Sequence, residues 1–477
     1  MVVDASQEFT DIISGLKKNF FSNLDFNAIE KGLRDAFHEL VDRNLLPILQ
    51  TILDNRDWFL VSLKQLAAKL GMRFCGYRKT NVRIFTGHTL TILSPYFVKA
   101  KPKKRRGRKP RRAPNGTGRH LGLELLGFIE RTSANLASNV IQMAILCPSF
   151  KVAQQVLHEQ GIRLDVKTMQ RLCKKFGNEA MLNRGMVSFE EPINLNDLTV
   201  LICVDGGRLR QRKRKRGCKP ASLKRQGYHT DWVEPKLLTI QFLDQYGRLC
   251  KDIPPLYDAT IENIDGFFEL LYQYLKCLDL SSAEKIVFCA DGAPGIWKRI
   301  PDLMGRLEIT KWYEALDYTH AKQNLFEITD LIPRNLCKHK EKITSYWKEL
   351  LWEGHFDELR ESINILFRGK RLKKALNKFD NYFGKNRSRM QYSTFKANDL
   401  PIGSGAVESA IRRVINLRIK GAGIFWTREM AEAMLFLRSQ FLCGRWSTVL
   451  KNIVSRTRQA LSEFLPVRTS AYIKTAI

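Results

Sequence analysis

Two aspartates in this chain stand at the ends of apolar runs. Asp205 follows residues 199–204 (TVLICV) and precedes Gly206 and Gly207. Asp291 follows Lys285–Ala290 (KIVFCA) and precedes Gly292. A run apolar at almost every position reads as a strand buried on both faces. An acid at its mouth is costly unless a cation compensates it, and a bound divalent metal is sufficient compensation. The plain alternative is a turn, because Asp-Gly is a common turn dipeptide. A third acid, Glu408, lies in PIGSGAVESAIRRV. Ser404 can cap a helix there, and a carboxylate in the first turn is favoured by the helix dipole. Pattern alone equally allows a surface Glu408 paired with Arg412 at i+4.

Three such carboxylates suit phosphodiester chemistry. A phosphodiester repels nucleophiles, and two Mg²⁺ ions roughly 3.5–4 Å apart can activate the attacking oxygen and stabilise the leaving one. Mg²⁺ takes oxygen ligands and keeps several waters, so two or three acids suffice. One acid set would serve both attack by water and attack by a 3′-hydroxyl.

The elements that must hold these acids begin at Leu198. Residues 199–204, Lys236–Leu243 and Lys285–Ala290 read as strands, with a further short strand over 312–316. Ile264, Phe267, Phe268, Leu271 and Leu275 form one helix face after Thr260. Mixed strands and helices over this length predict an α/β domain. Residues 324–383 are helical in pattern and rich in Trp, Lys and Leu, and the last helices begin near Ser404. Nearer the N-terminus, Leu45, Leu49, Ile52 and Leu53 recur at helical spacing, and Pro47 predicts a helix starting near it rather than passing through it. Val82, Ile84, Leu90, Ile92 and Leu93 bracket Gly87-His88 and predict a hairpin. Residues 149–176 read as two helices broken at Gly161, with Asp165 as N-cap of the second. Its exposed side would carry Lys167, Thr168, Arg171, Lys174 and Lys175, as a recognition helix presents side chains to a major groove, although a plain helical hairpin with a solvated face fits too.

The formal net charge of +31 and a pI near 9.8 point to a polyanionic partner, for which nucleic acid is the commonest choice. A merely basic, soluble surface is the alternative. With 44% hydrophobic and 27% charged residues in 477, the composition is that of a folded multidomain chain. No apolar stretch approaches the ~20 residues of a membrane span, and no signal peptide is evident. The ten cysteines include no CxxC pair, which argues against a zinc ribbon and a disulfide framework and fits a reducing cytoplasm.

LICVDGG, VFCADGAP and PIGSGAVES, in that order and followed by KGAGIFW, resemble the DDE transposases of bacterial insertion sequences, over about residues 120 to 440. The resemblance implies an RNase H-like core with a helical insertion before the last Glu. It makes Asp205, Asp291 and Glu408 ligands of two Mg²⁺ (or Mn²⁺) ions that catalyse strand cleavage and strand transfer. Asp317-Tyr318-Thr319-His320 resembles the D/C-x-x-H motif of insertion-bearing members, which would place His320 near the scissile strand, contacting a phosphate or assisting proton transfer. Several relatives carry a Cys-rich zinc segment near the N-terminal hairpin, whereas here Cys75 stands alone.

Three further stretches bear on DNA. Residues 101–112 (KPKKRRGRKPRR) read as a basic linker, in which Arg106 and Arg108 approximate an AT-hook core interrupted by Lys109; a generic phosphate-binding linker is the alternative. Residues 208–216 (RLRQRKRKR), with Arg208, Arg210 and Arg212, read as a loop that clamps the DNA backbone, or in a eukaryote a nuclear localisation signal. After Glu408, the residues Arg412, Arg413, Arg418, Lys420 and Trp426 are expected to hold DNA ends by charge and stacking.

The expected organisation is multidomain α/β. It comprises an N-terminal helical and hairpin region (1–98), the linker (99–118), a helix-turn-helix region (119–190), an RNase H-like core (195–323 and 399–445) interrupted by an all-α insertion (324–398), and a helical tail (446–477). Expected partners are double-stranded DNA and further copies of the chain as a homodimer or larger assembly, with no membrane and no small-molecule cofactor. The expected location is the cytoplasm, at the nucleoid. The rival readings are a DNA-binding protein without catalysis and a structure-specific nuclease that cuts but never joins.

Overall fold

A computed structural model describes residues 10–15, 17–18, 25–100, 118–185, 193–218, 222 and 226–462, the side chains of 456–462 excepted. The chain divides into two compact units, residues 1–179 with 449–477 and residues 180–448. Arg106 and Arg108, and most of the expected linker, lie outside the described residues. No helix among the described residues is long and apolar enough to cross a membrane.

After helical residues at 10–15 and 17–18, the first unit has the long helix α1 (Phe26–Asp54), followed by α2 (Phe59–Lys69) and a hairpin of β1 (Met72–Arg83) and β2 (Thr89–Lys99). The hairpin turns where the sequence predicts it, with Gly87 in the left-handed region at φ +86°. Helix α1 passes through Pro47 instead of starting there. Leu46, Leu49, Ile52 and Leu53 lie on both sides of the proline and pack on the cluster of Phe59, Leu63, Val82, Ile92 and Phe97. Gln50 also exchanges two side-chain hydrogen bonds with the backbone of Leu93, at 2.9 and 3.1 Å. Such tertiary contacts outweigh the roughly 3 kcal/mol that a proline costs a helix interior.

Helices α3 (Phe150–Glu159) and α4 (Val166–Met181) meet around Gly161, with Leu157, Met169, Leu172, Cys173 and Phe176 buried. Asp165 caps α4 by accepting the Thr168 N–H at 2.9 Å. Lys167, Arg171, Lys174 and Lys175 are exposed as expected, but Thr168 is buried. Its hydroxyl donates to Asp165 Oδ2 at 2.7 Å, completing the cap that the Asp165 carboxylate makes.

The second unit is built on a five-stranded mixed sheet. In chain order its strands are β3 (Thr199–Gly206), β6 (Lys236–Leu243), β7 (Leu256–Thr260), β8 (Lys285–Ala290) and β9 (Tyr313–Leu316). Across the sheet the order is β7-β6-β3-β8-β9. β3 runs antiparallel to β6, and β6 to β7, while β8 is parallel to β3 and β9 to β8. All six residues of TVLICV are buried, as a central strand covered on both faces requires. Helix α5 (Ile264–Lys276) contributes Phe267, Leu271, Tyr274 and Leu275 to a core shared with Val200, Ile202, Leu238, Ile240 and Phe288.

That core continues without a break into the helices that follow β9: α6 (Tyr318–Thr329), α7 (Lys340–Glu353), α8 (Phe356–Leu366) and α9 (Gly369–Phe379). Helix α10 (Gly405–Ile411) then returns to β3 and β6, and α11 (Arg428–Leu442) lies on β7. Residues 208–216, expected as a loop, instead supply β4 (Leu209–Arg214), which pairs antiparallel with β5 (Tyr228–Val233). The first half of β4 alternates, with Leu209 and Gln211 buried and Arg210 and Arg212 more open, and pairing with β5 carries the exposed Lys213 and Arg214.

Candidate metal and nucleic-acid site

The carboxyl ends of three parallel strands lie in one row. Val204 pairs with Ala290, and Ala290 with Leu316. The next residues are Asp205, Asp291 and Asp317. Adjacent strands lie about 4.8 Å apart, so these acids occupy neighbouring positions at the carboxyl edge of the sheet, where open α/β sheets receive ligands.

The first two are not simple turn residues. Asp205 and Gly206 still belong to β3, paired with Leu237 and Lys236. Gly207 is small for a packing reason, since a Cβ there would come within 2.5 Å of Ile415 Cδ1. Gly292 has the same role at β8: a Cβ would meet Tyr382 Cε2 at 2.5 Å. The two Asp-Gly pairs thus mark places where later chain closes onto strand ends. Asp205 Oδ1 accepts the Gly206 N–H at 2.6 Å, and Asp291 Oδ1 accepts the Ala293 N–H at 2.9 Å.

Asp317 behaves differently from its neighbours. It is 1% exposed and caps α6, accepting the His320 N–H at 2.8 Å. Its other oxygen accepts the Ser404 N–H. Ser404 occupies the N-cap position of α10, but its side chain makes no capping bond. The contact that fixes the start of α10 is therefore the buried Asp317 carboxylate, which ties it to the end of β9. Sequence reasoning treated Asp317 only as a motif member, because the strand before it (YEAL) holds Glu314 and an exposed Tyr313 and lacks the continuous apolar run that marked the other two.

Glu408, on α10, is exposed, and its ion-pair neighbour is His320 rather than Arg412, with His320 Nε2 3.8 Å from Oε1. Asp317, His320 and Glu408 each offer a ligand atom, all within 4.8 Å of one another. Both Asp317 oxygens already accept backbone N–H groups, which leaves His320 and Glu408 as the more available members. Burial pushes the Asp205 carboxyl up to about 6; the Gly206 N–H offsets part of this, Asp291 raises it further, His320 lowers it and Glu408 raises it. Asp205 is thus within electrostatic reach of Asp291, His320 and Glu408, but among the described residues neither Asp205 nor Asp291 joins the group whose ligand atoms lie within 4.8 Å of one another. Burial, followed by the charges of Asp291 and Asp317, also raises the Tyr382 phenol, a group the sequence did not single out.

The basic residues expected to hold DNA separate into two groups. Arg208, Arg212, Arg412 and Lys420 are exposed. Arg418 and Trp426 are 2% and 4% exposed, which corrects the expectation that they grip DNA ends. The Arg418 guanidinium lies 5.3 Å from the Trp426 ring centre, and Trp426 donates its indole N–H to Ile419 O at 2.9 Å. The backbone of Trp426 bridges to β4, donating to Arg210 O and accepting from the Arg212 N–H. Arg210 donates to Gly421 O at 2.7 Å and lies over Phe425, and Arg413 donates to the Tyr257 hydroxyl at 3.1 Å. These side chains organise the segment after Glu408, and their aromatic and basic types did not distinguish that role from DNA contact.

No family model matches the chain, and no curated protein matches it. Among solved structures it is similar to a strand transfer complex of the Drosophila P element transposase, at 12% identity over 69% of this chain and 85% of that one, with a TM-score of 0.24. It is also similar to the Mos1 strand transfer complex, at 15% identity over 62% of this chain and 78% of that one, with a TM-score of 0.15. Likenesses this distant decide nothing about the sheet or its chemistry.

Proposed function

We propose that this chain is a DDE transposase of an insertion sequence, which cleaves DNA at the element's ends and transfers the strands with divalent metal ions. The observation that carries the reading is the strand register that sets Asp205 beside Asp291, together with the electrostatic reach of Glu408 to Asp205. The sheet order, with the first strand central, two antiparallel strands to one side and two parallel strands to the other, supports an RNase H-like core. The helices between β9 and α10 are read as its insertion, and α3 and α4 as a helix-turn-helix that finds the element's ends.

The donor set is hard oxygen with one imidazole at its edge, which suits Mg²⁺ or Mn²⁺. Asp205, Asp291 and Glu408 would hold two such ions, which when bound supply Lewis acidity to the attacking and leaving oxygens. Asp317 fixes the start of the helix that carries Glu408. His320, with Nε2 facing Glu408, is placed to orient that carboxylate or to pass a proton at Nε2. The exposed Arg208, Arg212, Arg412 and Lys420 are read as phosphate contacts. Two ends must be brought together for joining, so the working form is a homodimer or larger assembly on DNA.

The test is nicking of DNA carrying the element's ends in Mg²⁺, with wild type beside Asp205→Asn, and joining of 3′-hydroxyl ends to a target plasmid. Loss of one metal-binding acid is expected to abolish both reactions. Equal nicking by the two proteins would remove Asp205 from the chemistry, and cutting without joining would favour a nuclease.

A further inference from the structure

One face of α9 is built almost entirely of cations. Lys370, Lys373, Lys374, Asn377 and Lys378, with Asn381 beyond the helix end, follow helical spacing and line a cleft of about 620 Å³, together with Tyr382 and Asn324. The opposite face carries the buried Ala375 and Phe379, so the core orients the lysine stripe outward. Lys378 is paired with Glu327. Among the described residues, no acid lines the cleft and none pairs with Lys370, Lys373 or Lys374.

The cleft shares two walls with the carboxylate site. Asn324 lies one turn beyond His320 on α6 and donates to its carbonyl at 3.0 Å. Tyr382 sits with its ring against Gly292, the residue after Asp291. The cleft lining is therefore tied to the backbone of the histidine and to the residue after the second strand-end acid. Just over two turns of helix separate Lys370 from Lys378, about 12 Å at about 1.5 Å per residue. That length exceeds one small anion and spans more than one phosphate of a strand, whose rise along a duplex axis is about 3.4 Å per nucleotide. Ammonium groups on flexible stems are suited to phosphates as point charges.

We propose that this lysine-lined cleft binds the phosphate backbone of the DNA strand that reaches the carboxylates. The proposal deepens the transposase reading and rests on it only for where the strand leads. It predicts a polyanion track on the helices before Glu408, additional to the basic stretches near β4 and after Glu408.

The experiment uses the full chain and a fluorescent DNA duplex, titrated at several salt concentrations. Lys373→Gln/Lys374→Gln removes two exposed charges, and Lys251→Gln/Lys276→Gln removes two exposed charges elsewhere in the same unit. Thermal melting confirms that both variants fold. Two lost phosphate contacts flatten the salt dependence by nearly two logarithmic units per unit, so the loss of affinity between about 50 and 200 mM salt should shrink by roughly tenfold in the cleft variant only. Equal salt slopes in the cleft variant and wild type would overturn the proposal, and so would equal changes in the two variants. Inorganic triphosphate is the second probe: saturable binding abolished by the cleft substitutions while duplex binding is unchanged would identify a small-anion site and also overturn it. If the cleft variant alone flattens the slope while wild type never nicks DNA, the enzyme reading fails and the cleft stands. If Asp205→Asn abolishes nicking while the cleft variant binds as wild type, the reverse holds.

Discussion

Asp205 shows what it costs to keep an acid at the end of a buried strand. Its pKa is raised to about 6, above the usual Asp value near ~3.9, because burial and neighbouring acids penalise the charge. An acid whose pKa is raised on folding is protonated in the folded state where the unfolded chain has already lost the proton. Its neutral form is therefore the compatible one, and stability falls as pH rises from about 4 through about 6. Asp205→Asn should remove that penalty. In metal-free buffer we expect the variant to exceed wild type by about 3 kcal/mol at pH 7 and nearly to match it near pH 4. Urea unfolding at the two pH values checks this, and a variant less stable at pH 7 would contradict it. Mg²⁺ should then raise the melting temperature of wild type more than that of the variant, because binding to the folded state alone stabilises it.

At the scale of elements, an ion-pair cluster ties the chain before β3 to the edge of the sheet and to α11. Arg184 donates to both oxygens of Asp258 at 2.8 and 2.9 Å, to Ala259 O at 2.7 Å, and to Glu432 Oε2 at 3.0 Å. Glu432 Oε1 in turn accepts the Ile261 N–H and the Thr260 hydroxyl of the β7 end, and the Tyr274 hydroxyl of α5 donates to Asp258. Asp258 is wholly buried, so removing its cation would leave an uncompensated charge. Arg184→Met should destabilise the second unit by about 3–5 kcal/mol. Urea unfolding followed by the fluorescence of its tryptophans reads this, and a loss well under 1 kcal/mol would show the cluster to be dispensable. Arg184 lies in the stretch expected as the end of a helix-turn-helix region, yet its ion-pair partners belong to the sheet and to a helix that covers it.

For the whole molecule the governing quantity is charge. A formal net charge of +31 on 477 residues, with exposed cations on α4, β4 and α9, makes association with DNA an ion-exchange process. Each phosphate neutralised contributes a slope of about −0.9 to log K against log salt. We expect a slope steeper than about −5 for duplex DNA, as for a protein making six or more phosphate contacts. Filter binding or fluorescence anisotropy across salt concentrations measures it directly. A flat response would mean that the basic surface does not meet phosphate.

Local pattern in the sequence specified the apolar runs of β3 and β8 with their terminal acids, the turn at Gly87 and the Asp165 cap, because each depends on residues a few positions apart. It also indicated a third short strand over 312–316, without marking the Asp317 that follows it as a strand-end acid like the other two. Only the tertiary structure decided that β8 and β9 lie parallel beside β3, that Asp317 clamps Ser404, and that Glu408 faces His320 across a long intervening stretch of helices. It likewise decided that Arg418 and Trp426 face inward, and that α1 continues through Pro47. Periodicity records which side of an element is apolar, but strand partners and the burial of a long amphipathic side chain depend on contacts between residues far apart in the chain.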